Sequence, residues 1–187
     1  MDRFIRSMDA LGTEYRSRAL DLVQTVFAEH GSEGGGLLER RLVEEIRSKK
    51  YYLPGLELLM LDESGEPIGY VMFSRFHLEG KFENELLLLS PAAVRTDLQR
   101  QHISRDLIEH GFEKARAMGF KAVLVEGNPA NYRSRGFVTA AEHGILPGKT
   151  VHLPHIDCLM AKALVPGAFE TIRGAVEYDF YETLMEE

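Results

Sequence analysis

Three stretches of this 187-residue chain hold side chains whose types and spacing could do chemistry. The first is V-R-T-D-L-Q-R-Q-H-I-S-R-D-L-I, from Val94 to Ile108, where an apolar run beginning at Leu86 ends in a polar turn that opens into an amphipathic helix. A helix start offers backbone N–H groups with no intrahelical acceptor, together with the positive end of the macrodipole. An anion there is both hydrogen-bonded and electrostatically favoured. Arg100 and Arg105 add cations beside it, so phosphate binding is the chemistry this junction suits. The second stretch, A-V-L-V-E-G-N-P-A-N-Y-R-S-R-G-F from Ala122 to Phe137, carries Glu126 at the end of a strand-like run and Tyr132 shortly after it. The third places Glu85 at the start of the run that leads to Val94. A carboxylate can take a proton directly or through water, and a phenol can give one to a leaving group.

The elements that must position these residues follow from periodicity. Tyr15, Ala19, Leu22, Val23, Val26 and Phe27 recur at helical steps, which predicts a helix ending before Gly31. After the break Ser32 to Gly36, Leu38, Leu42, Val43 and Ile46 predict a second. Arg3 to Ser7 suggests a short first strand, and Leu56 to Leu61 and Ile68 to Phe76 two antiparallel strands joined by D-E-S-G-E-P. A polar loop from Leu78 to Asn84 precedes a strand from Leu86 to Val94, in which Pro91 cannot donate to a ladder and so predicts a bulge or a lost partner. Ile103, Leu107, Ile108, Phe112 and Ala115 form one face of the next helix, which Gly119 stops. Its length suits a crossover to a parallel strand at Lys121 to Glu126. Strands are expected at Phe137 to Ala141 and His155 to Ala163 across the loop Gly144 to Leu153, with one short piece at Gly174 to Tyr178.

Gln99-x-x-His102-x-Ser104 after a strand, followed by Tyr132-x-x-x-Gly136-Phe137, resembles the GCN5-related N-acetyltransferases, the GNAT superfamily. The endings H-I-D-C-L-M-A-K-A-L and G-A-V-E-Y are most similar to its YhbS-type branch of small bacterial enzymes. The resemblance spans nearly the whole chain. It implies a mixed α/β (α+β) fold: one domain over residues 1–187, with a core at about 3–165 and a C-terminal extension at about 166–187. The central sheet would be mostly antiparallel, flanked by helices, with its fourth and fifth strands splayed. It also implies acetyl-CoA as co-substrate and no metal. Gln99, Arg100, Gln101, His102, Ile103, Ser104 and Arg105 would hold the pyrophosphate, Ala92, Ala93 and Val94 would offer main-chain groups to the pantetheine arm, and Asn128 would also bind the cofactor. Tyr132 would be the general acid, and the first two helices with their loop would wall the acceptor site. The family has glycines where this chain has His102 and Ser104. A Cβ there crowds the phosphates but keeps the N–H donors, Ser104 can add its hydroxyl, and the His102 imidazole must point outward.

The general base stays open at this point between Glu126, Glu85 and a water chain; Leu88 stands where several relatives carry their glutamate. His77, beside the third strand, fits either the acceptor pocket or the surface. His152, His155 and Asp157 have a spacing that could attract a metal, but strand alternation sets His152 off the face of the other two and a further ligand is wanting. The lone Cys158 excludes an intrachain disulfide framework and reads as a structural thiol.

Composition narrows the class. Hydrophobic content of 44% and charged content of 27% are those of an ordinary globular domain. A net charge of −7 argues against a general nucleic-acid surface and suits a cationic amine acceptor. No membrane span and no signal peptide are expected, which points to the cytoplasm, as a monomer or homodimer. The expected function is acetyl transfer to a primary amine of a small molecule or protein. The alternatives are a non-catalytic acyl-CoA sensor and an unrelated α/β domain holding another phosphorylated ligand.

Overall fold

The computed structural model describes residues 2–185. In chain order the elements are β1 (Phe4–Ser7), α1 (Glu14–Glu29), α2 (Leu37–Ser48), β2 (Glu57–Leu61), β3 (Pro67–Leu78), β4 (Lys81–Val94), α3 (Ile103–Ala117), β5 (Ala122–Glu126), α4 (Pro129–Tyr132), β6 (Val138–Thr139), β7 (Ile145–Pro147), β8 (Leu159–Ala163), α5 (Ala168–Thr171) and β9 (Gly174–Val176). The strand order is β1-β2-β3-β4-β5-β8-β6, with β7 and β9 forming a second, two-stranded sheet. This is the mixed, mostly antiparallel fold expected. The chain divides into two compact units, one of residues up to Phe73 with Pro91–Gly111, the other of Ser74–Ser90 with the residues from Phe112 onward. Among the described residues no helix is long and apolar enough to cross a membrane.

In the first unit, the predicted face of α1 is buried at Ala19, Leu22, Val23 and Val26, and that of α2 at Leu42, Val43 and Ile46. The glycine run between them ends at Gly36, whose φ of 77° and tight fit against the Gln24 main chain admit no side chain. Sequence periodicity gave no sign of the polar group at the centre of this unit. Glu57 opens β2 fully buried. Its carboxylate accepts from Arg47 Nε at 3.1 and 3.2 Å, from Arg47 Nη2, from Tyr52 at 2.6 Å and from Tyr70 at 3.0 Å. Arg47 also donates to the Arg16 carbonyl at 3.0 Å. Four donors on one carboxylate meet the condition under which a buried charge is tolerated. Burial and the adjacent carboxylate raise the ionisation of Tyr52 and Tyr70 above the ordinary tyrosine value, which keeps both phenols as donors.

Helix α3 lies against β3 with no room for additional atoms. A Cβ at Gly69 would overlap Ile103 Cγ2 and stand 2.9 Å from Leu107 Cδ1, and one at Gly111 would overlap the buried Phe73 ring. The predicted apolar face of α3 is buried throughout.

In the second unit, the expected polar loop from Leu78 to Asn84 is instead a tight hairpin. Glu79 and Gly80 are both left-handed, with φ of 53° and 78°, so two residues suffice to reverse the chain and the strand resumes at Lys81. Phe82 is also left-handed, with φ of 71°, while Pro91, in the part of β4 that belongs to the first unit, is buried. β4 and β5 pair in parallel through Leu86↔Ala122, Leu87↔Val123 and Leu88↔Leu124, as the helical crossover required. Among the described residues the ladder ends there, while β5 runs on to Glu126 paired with β8.

Two expected strands are shorter than the apolar pattern suggests. β6 is only Val138–Thr139 before a 3-10 turn, Ala140–His143, that Gly144 closes at φ 76°. Residues 156–158 are a 3-10 turn because the His155 ring nitrogen accepts the Asp157 N–H at 3.2 Å, a local bond that competes with the ladder. The expected loop at 144–153 contains β7, which pairs in parallel with β9.

Two substitutions test this packing. Removing one partner of a buried ion pair strands the other's charge, so Glu57→Ala is expected to cost about 3–5 kcal/mol in urea unfolding. Gly111→Ala sets a helix-propensity gain of about 1 kcal/mol against overpacking of about 1–3 kcal/mol. Because the Phe73 ring has no free space, the net effect should be a loss of about 1–2 kcal/mol, opposite in sign to an exposed helical Gly→Ala.

Candidate functional site

In the first unit the strand-to-helix junction is built as a donor surface. His102 accepts the first helical bond of α3, from Asp106 N at 2.9 Å, so the N–H groups of residues 102–105 precede the intrahelical ladder. Arg100 and His102 are both left-handed, with φ of 62° and 66°, although neither is glycine. Each such residue costs roughly 1–2 kcal/mol. Side-chain ties hold the loop in that shape. Arg3 donates to the Gln101 carbonyl at 3.1 Å and also to its Oε1. His30 Nδ1 lies 2.6 Å from the Val26 carbonyl, which can only accept, so in the neutral ring Nε2 is the acceptor for the Gln99 amide at 2.9 Å. Thr96 donates to Glu29.

Gln99, Arg100, Gln101, His102 and Arg105 are exposed, Ser104 is half-buried and Ile103 is buried in the core. Arg105 pairs with Asp106 at 3.3 Å and Arg95 with Asp97 at 2.7 Å. On β4, Ala93 is buried while Ala92 and Val94 are half-buried.

The second unit holds Glu126 and Tyr132. β5 ends at Glu126, exposed, and the chain turns at Gly127 into α4. Asn128 caps that helix, its Oδ1 accepting the Ala130 N–H at 2.9 Å, so at least one polar atom of this expected ligand contact serves the fold. Gly136, left-handed at φ 83°, lets Phe137 return into the core, where it meets Tyr132 edge-on at 5.6 Å. The Tyr132 ring leans over Gly127, where a Cβ would come within 2.8 Å of Cε2. Burial raises the Tyr132 ionisation above the ordinary value, with Arg135 pulling the other way, so the phenol is protonated at neutral pH.

Tyr132 and Glu126 thus share the carboxyl end of β5. Glu85 does not: it lies one residue before the Leu86↔Ala122 pair, 3.4 Å from Lys121, at the other end of a strand about 13 Å long at roughly 3.3 Å per residue. His77 stacks on Phe180 at 4.3 Å. Asp157 is engaged by Thr139 at 2.7 Å and lies 3.6 Å from Arg133 and 3.4 Å from His155. Among the described residues no group of three or more His, Cys, Asp or Glu could hold a metal ion.

Sequence reading missed Arg3 and His30 as supports of the loop and Tyr178, whose hydroxyl donates to Glu126 Oε2 at 2.7 Å. These partners lie 98, 69 and 52 positions away, beyond the reach of any local pattern.

If His102 is held left-handed against its own preference, His102→Gly relieves about 1–2 kcal/mol of strain and gives back about 0.5–1 kcal/mol through a freer unfolded chain. The expected result is a gain of about 0.5–1 kcal/mol, a rise of about 2 °C in melting temperature, with acetyl-CoA binding unchanged or tighter. A fall in melting temperature would show that the imidazole itself anchors the loop.

Residues 23–142 match the model of the Acetyltransferase (GNAT) family. The chain is similar to YhbS, an uncharacterized N-acetyltransferase of Escherichia coli K12, at 29% identity over 143 residues, 75% of this chain and 80% of that protein. It is also similar to the uncharacterized N-acetyltransferase YjhQ of the same strain, at 30% identity over 128 residues, 67% of this chain and 70% of the other. The crystal structure of Escherichia coli YhbS in complex with CoA matches the fold with a TM-score of 0.80 at 26% identity, over 94% of this chain and 89% of that one. A Brucella melitensis GNAT acetyltransferase in complex with acetyl-CoA shares the fold at a TM-score of 0.67 and 20% identity, over 88% of this chain and 90% of that one. The matched segment takes in the strand-to-helix loop, β5 and the Tyr132 helix, and the chain belongs to the GNAT family of acetyltransferases.

Proposed function

We propose that this chain transfers the acetyl group of acetyl-CoA to a primary amine of a small molecule or protein by direct attack on the thioester. The observation that carries this reading is the loop from Gln99 to His102, which holds two non-glycine residues in the left-handed region ahead of the open N–H groups of α3. Those donors, with Arg100 and Arg105, suit a pyrophosphate. The His102 backbone has the conformation that a glycine would supply, and its exposed side chain leaves the donors uncovered. Main-chain groups of Ala92 to Val94 take the pantetheine arm. The YhbS structure holds CoA, which supports the same ligand here.

The chemistry needs two proton transfers. Glu126 takes a proton from the ammonium form of the acceptor, directly or through water, freeing the nitrogen lone pair to attack the carbonyl carbon. As the C–N bond forms and the C–S bond breaks, Tyr132 passes its phenolic proton to the sulfur, so coenzyme A leaves as the thiol. The remaining proton lost by the nitrogen restores the phenol through solvent. Tyr132 and Glu126 are favoured for these roles because they share one end of β5. Glu85 is disfavoured as the base because it lies beside Lys121 at the other end.

Calorimetry with acetyl-CoA and turnover with a panel of primary amines test this assignment. Tyr132→Phe should lower kcat by about 10²–10⁴-fold, the usual range for general acid–base catalysis, and leave the acetyl-CoA Kd nearly unchanged because the ring still packs on Phe137. Full turnover in this variant would make Tyr132 structural. Tight acetyl-CoA binding without turnover of any amine would favour a non-catalytic acyl-CoA sensor.

A further inference from the structure

The segment that follows β9 brings a phenol onto the end of β5. Tyr178 is buried and donates its hydroxyl to Glu126 Oε2 at 2.7 Å. The segment is fixed on several sides. Tyr178 N donates to Thr150 Oγ1 at 2.7 Å, and the Glu177 carboxylate accepts from the N–H groups of Lys149 and Thr150 at 2.8 Å each. β9 pairs with β7, and the Tyr178 ring meets Phe76 edge-on at 6.2 Å. The phenol therefore points at the carboxylate from a segment tied to β7 and to residues 149–150.

We propose that Tyr178 is a positioning residue for Glu126, holding its carboxylate at the end of β5 by a hydrogen bond to Oε2. The proposal rests on the reading of Glu126 as general base. A hydrogen bond to the charged form of a carboxyl group favours that form, so the donor keeps Glu126 ionised to lower pH than it would otherwise be. Burial first, and the Glu126 charge second, push Tyr178's own ionisation well above the tyrosine range, so it stays a donor and relays no proton. Among the described residues, the titratable groups near this end of β5 include Tyr181, which acts on Tyr178, Tyr132 over Gly127, Cys158, whose carbonyl accepts the Gly127 N–H at 2.9 Å, and His77, stacked on Phe180. Tyr178→Phe removes only the hydroxyl from this set, so a shift of the Glu126 titration reports that hydrogen bond.

The experiment is a carbon-13 titration of the Glu126 side chain, assigned by its loss in Glu126→Gln, in the native chain and in Tyr178→Phe. The same variants are followed by pH profiles of kcat/KM with acetyl-CoA and ethanolamine, putrescine and lysine amide. Tyr178→Phe keeps the ring and should raise the Glu126 carboxyl pKa by about one unit, a tenfold change in its ionisation constant. The acidic limb of kcat/KM should move up by the same amount, with the acetyl-CoA Kd and the high-pH plateau little changed. If Tyr178→Phe does not fold, 3-fluorotyrosine at position 178, a stronger donor, should move both quantities the other way. A Glu126 titration that ignores either change overturns the proposal, as does a shifted titration with an unmoved acidic limb. If Glu126→Gln keeps its rate and its acidic limb, the assignment of the base has failed, and that outcome is distinct because it appears without any change at position 178.

Discussion

Everything the first unit offers to a ligand depends on how closely α3 can approach β3. At Gly69 and Gly111 the space that a side chain would take is filled by Ile103, Leu107 and Phe73, all buried. Helix and strand meet through one partner's missing Cβ and the other's full side chain, the interlocking that close-packed interiors require. Because Ile103 is the first residue of α3, the contact at Gly69 fixes the helix at its very start. A start held in this way aims its N–H groups in one direction, and an anion site needs that more than it needs any single cation.

The loop before that start is a balance of comparable terms. Two left-handed non-glycine residues cost roughly 1–2 kcal/mol each. The ties from Arg3, His30 and Glu29 return roughly 0.5–1.5 kcal/mol apiece, somewhat more where a charge takes part. The sums are similar, so the loop keeps its shape without glycine as long as its supports are present. This also explains why the supports come from β1's approach and the end of α1: those segments form the surroundings of the loop in its own unit, and their polar ends need partners as much as the loop does.

Legibility of the fold in the sequence followed the range of the interactions involved. The faces of α1, α2 and α3 were readable because each is a local periodicity that burial then satisfies at Ala19, Leu42 and Leu107. The parallel pairing of β4 with β5 was readable because only a long crossover permits it. The hairpin at Glu79–Gly80 was hidden because a two-residue turn needs left-handed φ at both positions, and glutamate does not advertise it. The strand at residues 155–158 was overcalled because an apolar run does not reveal a histidine ring capping its own backbone. Of the site, the loop and the Tyr132 helix were visible as spacings. The Glu57 cluster, Arg3, His30 and Tyr178 were not, since each acts across five to ninety-eight positions on a partner that only the fold supplies.

The two ends of β5 place two carboxylates in different surroundings. At its start, Glu85 and Lys121 neutralise each other within 3.4 Å, half exposed, an arrangement worth little energy and with no reason to move a proton. At its end, Glu126 accepts a hydrogen bond from the Tyr178 phenol, which stays protonated. A cation beside a carboxylate lowers its affinity for a proton through charge, while a phenol does so through one directional bond that occupies one oxygen. The second kind of partner constrains the carboxylate through one bond of defined direction. The parting of β4 from β5 beyond Leu88 happens at this same end, where main-chain groups no longer satisfied by a ladder must find other partners. Glu126, its Tyr178 partner and the Tyr132 ring therefore collect at the carboxyl end of β5, past the last β4–β5 pair, while β5 itself stays paired with β8.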